Sequence, residues 1–136
     1  MPDDIKTILC PINLRHATVS SRAYDRAVEL ARLHGAKLVV VTVAPEIERN
    51  LNIYDSRAYW GDKLAEFVAA NPPDGVEVST EVLIGAVHRR IVKAAEALSA
   101  DLVVMEAANP RVQDYLLGTT ASHVVTHAEC SVYVVR

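Results

Sequence analysis

His123 and His127 stand four residues apart, the spacing that brings two imidazoles onto one helix face and suits a metal ion. Ala121, Val124, Val125 and Ala128 mark the buried side of the same helix, so both histidines face away from it. No carboxylate or cysteine stands where it would complete a ligand set. The pair is read as solvated, and no metal is expected. Cys10 and Cys130 are the two cysteines, and each lies in an apolar run. Both are read as small core residues in a reducing compartment, not as nucleophiles. Trp60, beside Tyr59, reads as a core or interface residue and not as a stacking platform.

The motifs of the common phosphate and acyl chemistries are missing. There is no G-x-x-x-x-G-K-[ST] loop, no G-x-G-x-x-G after a strand, and no G-x-S-x-G elbow. A phosphoacceptor domain would want an acidic cluster after the first strand and an aspartate ending the third, where Asn13 and Leu83 stand. With no nucleophile beside a base, no catalytic residue is assigned and no enzyme is expected.

Composition narrows the classes further. The 136 residues, 51% hydrophobic and 23% charged, suit one globular domain spanning 1–136 with a core of its own. The net charge is −3 and the densest basic pair is Arg89-Arg90, which is too little for nucleic acid. The N-terminus does not read as a signal peptide, and no apolar run approaches the ~20 residues of a membrane span. A cytoplasmic protein with no membrane partner is expected.

Any site must be positioned by the elements. Ile5–Ile12 reads as a first strand. Thr18, Ser20 and Ser21 are N-cap candidates for a helix that Gly35 ends. Lys37–Val43 reads as a strand buried on both faces. Tyr59 or Trp60, with Leu64, Phe67 and Val68, stripes a second helix, and Asn71–Gly75 breaks it. Val76–Leu83 reads as a strand at or near a sheet edge. Val87, Ile91, Ala94 and Leu98 mark a third helix, and Leu102–Met105 a short buried strand. A loop from Asn109 to Gly118, a helix from Thr119 to Ala128 and a strand over Ser131–Val135 complete the chain. Strict strand–helix alternation implies an open parallel sheet with helices on both faces, a three-layer α/β architecture. In such a sheet ligands sit beyond the C-terminal strand ends, where strand order reverses.

Three stretches then fall into one pattern: Ala100–Met105, Leu116–Ala121 and His127–Val135. With Ile8–Asn13, Ala27–Ala31 before Gly35-Ala36, and Gly85 ahead of Ile91, the chain resembles the universal stress protein family. The likeness covers nearly the whole chain and is weakest from Pro45 to Gly75. The resemblance implies a five-stranded parallel sheet in the order 3-2-1-4-5, like that of the adenine nucleotide alpha hydrolases, and homodimers. One branch of the family binds ATP through G-x2-G-x9-G-[ST] after the fourth strand; the other lacks the motif.

This sequence departs from that motif. Glu106 and Asn109 replace its first two glycines, and eight residues, not nine, precede Gly118. Asn13 replaces the aspartate that usually ends the first strand. A carboxylate at Glu106 would repel phosphate, and Pro110 removes an amide donor. Gly118-Thr119 does match, and a helix start at Thr119-Thr120 attracts anions; the plainer reading there is a loop end and a helix cap. The expected function is a non-catalytic, dimeric stress-response module without a resident cofactor. The alternative is an ATP- or AMP-binding sensor. It would use Ile12, Asn13, Val43, Met105, Glu106, Asn109, Gly118, Thr119 and Thr120, with Asn109 standing in for glycine. A small hydrolase on the same scaffold is a further alternative. The dimer would form through Val132, Tyr133, Val134 and Val135, an edge with no blocking charge before Arg136. Other protein partners are not named by the sequence.

Overall fold

The computed structural model describes residues 4–15, 20–44, 56–107 and 118–136. Strands and helices alternate: β1 (Thr7–Pro11), α1 (Arg22–His34), β2 (Lys37–Ala44), α2 (Ser56–Ala70), β3 (Val78–Ile84), α3 (Val87–Ala97), β4 (Leu102–Glu106), α4 (Thr119–His127) and β5 (Ser131–Val135). The five strands form one sheet in the order β3-β2-β1-β4-β5, and every neighbouring pair is parallel. The expected architecture and strand order are both present.

Side-chain alternation along the strands makes two cores. Ile8, Cys10, Leu38, Val40 and Val104 pack against Tyr24, Ala27, Trp60, Leu64 and Phe67 of α1 and α2. Leu9, Val39, Val41, Val103 and Met105 pack against Ile91, Ala94, Ala95, Ala121 and Val124 of α3 and α4. β1, β2 and β4 therefore bury both faces, which is why they read as continuous apolar runs.

Local signals end the elements where they act. Ser21 caps α1, its Oγ accepting from the Tyr24 amide at 3.2 Å. Gly35 stops α1 in the left-handed region at φ 64. β3 starts at Val78 and not at Val76, because the Val76 amide is taken by the Pro73 carbonyl in a turn. Ile12 lies just past the assigned end of β1 but still donates to Val41 at 2.8 Å. The Asp101 carboxylate accepts from the amides of Lys6 and Thr7 at 2.9 and 3.0 Å and holds the start of β1 against β4.

Two expected core positions are corrected. Val125 is 45% exposed and Val87 46% exposed. The sheet lies under a narrow stripe of each helix: Ala121 and Val124 of α4, and Ile91, Ala94 and Ala95 of α3. Val125 turns off that stripe, and Val87 precedes the first turn of α3 that reaches it. Cys130 is also only partly buried, unlike Cys10.

Candidate functional site

α1 and α2 cover one face of the sheet, and α3 and α4 the other. The chain therefore leaves β1 toward one face and β4 toward the other. The strand order reverses between β1 and β4, the crevice where an open parallel sheet receives ligands. Ile12 and Met105 lie buried at the strand ends beside it, in the cores of opposite faces, and Val43 is partly buried one strand away. Asn13 is exposed beyond β1, where its Oδ1 accepts from the Arg15 amide at 3.1 Å and tightens the turn. Asn109 lies outside the described residues.

Glu106 corrects the simple picture of a carboxylate opposed to phosphate. It alternates with Met105, so Val104 and Glu106 point to the α1 face while Met105 points to α4. Its Oε1 accepts from the Arg22 amide at 2.9 Å, the Ala23 amide at 3.4 Å and the Ser21 hydroxyl at 3.3 Å. The first turn of α1 is thus occupied by an anion of the chain itself, the sign that the helix dipole favours there. Sequence reasoning named Ser21 as a cap but missed its partnership with Glu106. The signal was the alternation in β4.

The start of α4 is different. Gly118 occupies its cap position at φ 89 and ψ 163, a region open almost only to glycine, and among the described residues no side chain caps the helix there. Thr119 is exposed and Thr120 partly buried. Of the candidate residues, Ile12, Asn13, Met105 and Glu106 gather at the β1–β4 ends. Gly118, Thr119 and Thr120 stand on the α4 side.

The nearby titratable groups are poor reagents. Burial first, then the charge of Glu106, pushes the Cys10 thiol far above its ordinary range. Tyr24 is pushed up to about 12 by burial, then by Cys10 and Asp25. At the far end of the sheet burial also raises Cys130, with a backbone hydrogen bond opposing and Asp101 adding. A shallow depression lined by Val92, Glu96, Ser99, Glu129 and Cys130 lies at the other end of the sheet, away from this crevice. Among the described residues no group of three or more His, Cys, Asp or Glu side chains would hold a metal ion, and no helix is long and apolar enough to cross a membrane. His123, expected to be solvated, is instead partly buried with its ring 4.2 Å from that of His88, a residue the sequence reading did not single out.

The universal stress protein family model matches residues 4–136. Universal stress protein G of Escherichia coli O157:H7 is 30% identical over 142 aligned positions, covering 96% of this chain and 99% of that protein. A solved universal stress protein in complex with cAMP superposes with a TM-score of 0.75 at 21% identity, covering 98% of each chain. The universal stress protein from Archaeoglobus fulgidus in complex with dAMP superposes at 0.70 with 19% identity, covering 97% of this chain and 98% of that one.

Proposed function

The chain belongs to the universal stress protein family, and from that membership we propose that it acts as a non-catalytic dimer in the stress response. The observation that carries this reading is the outer position of β5, beside which no further strand lies among the described residues. β5 is the last strand of the sheet, its five residues carry no charge, and Tyr133 is 40% exposed. Such an edge invites pairing with a second copy, and a two-fold pairing would cover both edges at once. The buried, protonated thiol of Cys10 and the engagement of Glu106 with α1 support a role without a nucleophile.

The edge provides its own test. The Ala107 amide donates to the Val135 carbonyl, so Val135 faces β4 and alternation turns the Val134 amide outward. Val134→Pro removes that outward donor and spares the β4 ladder. Light scattering after size exclusion should find a dimer for the native chain and a monomer for Val134→Pro. A native monomer at high micromolar concentration would reject the reading.

A second reading, a sensor of adenine monophosphates, is favoured by the glycine that starts α4. Gly118, Thr119 and Thr120 would hold one phosphate, with the base near Ile12, Asn13 and Val43. The solved relatives carrying cAMP and dAMP each hold a monophosphate, which fits a site whose shortened loop has lost two motif glycines. Calorimetric titration with AMP, cAMP and Mg-ATP, after mass spectrometry for carried-over nucleotide, decides it. Micromolar AMP or cAMP binding would support it, and no heat at millimolar ligand would reject it.

A further inference from the structure

His88 in the first turn of α3, His123 in the second turn of α4 and His127 one turn further form a column of imidazoles. The His88 and His123 rings stack with centroids 4.2 Å apart and planes 17° apart, and His123 and His127 follow at 6.1 Å and 11°. We propose that this column is a proton-sensitive latch between α3 and α4, closed while its imidazoles are neutral and loosened by acid.

The geometry suits neutral rings and not a metal. A ligating imidazole holds the ion in its own plane, and the His88 and His123 rings, near-parallel at 4.2 Å, share no such point. One proton on the column leaves a cation over a neutral ring, which is tolerated. Two protons set like charges in contact, which drives the rings apart.

The surrounding charges add to this. Arg89 on α3, and His123 and His127 on α4, act on His88, and among the described residues no carboxylate joins them. β2, which packs under α3, has its single charge, Lys37, at the opposite end, and β5 under α4 has none. Burial first, then His123, Arg89 and His127, lower His88 from its ordinary 6.5. A lowered native value means that the unfolded chain binds the proton more readily. The contribution of the latch is therefore full above the ordinary imidazole range and is lost as pH falls from about 6.5 toward the native value. The element released is α4, just beyond its first turn. The inference stands whether or not a nucleotide binds there.

The test is an NMR titration of the histidine rings in the full chain, in chelator, with amide exchange of α4 measured at pH 7.5 and 5.5. Native His88 should titrate below 6.5, and His123→Gln should move it upward. After correction for intrinsic chemistry, α4 amides should exchange about three- to tenfold faster at pH 5.5 in the native chain. That gain should vanish in His88→Gln and persist in His34→Gln, which changes an exposed histidine outside the column. A native His88 that titrates at or above 6.5, or α4 exchange independent of pH, would overturn the proposal.

Discussion

On one face of the sheet, α1 and α2 bury Tyr24, Trp60 and Phe67; on the other, α3 and α4 bury alanines, Ile91 and Val124 and no aromatic ring. Tyr24 and Phe67 meet edge to face at 5.2 Å, and the Tyr24 hydroxyl donates to the Asn71 carbonyl at 2.7 Å. The first turn of α1 is closed by Ser21 and Glu106, while that of α4 starts on a bare glycine. One layer satisfies itself. The other starts a helix on glycine and stacks titratable rings along its outer seam. On the readings proposed above, a response to ligand or proton belongs to the α3–α4 side.

The largest expected effect tests the anchored layer. Phe67→Ala removes a buried ring and its Tyr24 contact, and should cost about 3–5 kcal/mol in chemical denaturation. A loss below that of Ile91→Ala would reverse the comparison. The alkaline limb comes next. The native chain keeps its Tyr24 proton up to about 12, while the ordinary value is 10.0. Stability should therefore be complete below that ordinary value and fall as pH rises through this window, by about 1 kcal/mol per pH unit, with Cys10 adding from its ordinary 9.0 upward. Tyr24→Phe should flatten the fall.

The open helix start is tested by Gly118→Ala, which forces a side chain into a backbone region nearly closed to it. It should cost about 1–3 kcal/mol, read as a lower melting temperature. The smallest effect belongs to the closed start. Glu106→Gln retains an acceptor but removes the charge from the α1 terminus, and should cost about 0.5–1 kcal/mol, diminishing with salt. If Glu106→Gln also created tight phosphate binding, the carboxylate would be acting on a ligand and not mainly on α1.

Much of the framework was readable from residue order. The nearly continuous apolar runs of β2 and β4, Gly35 after α1 and the breaker at Asn71–Gly75 act over a few residues, so the chain announces them locally. The errors fell where a face had to be chosen. Val125 and Val87 are apolar at helical spacing, yet each lies off the narrow stripe the sheet covers. His123 was read as solvated because its own helix could not reveal what α3 places beside it.

By itself the sequence determined the alternation of strand and helix, the ends of the elements to within about two residues, and the apolar, uncharged character of β5. These follow from backbone freedom and side-chain periodicity, which are properties of neighbours in the chain. Only the tertiary structure decided that Glu106 would seal α1, 84 residues away in sequence from Arg22, and that His88 would stack on His123. Those contacts depend on which strand ends and helices lie side by side, a distance in space that no local spacing encodes.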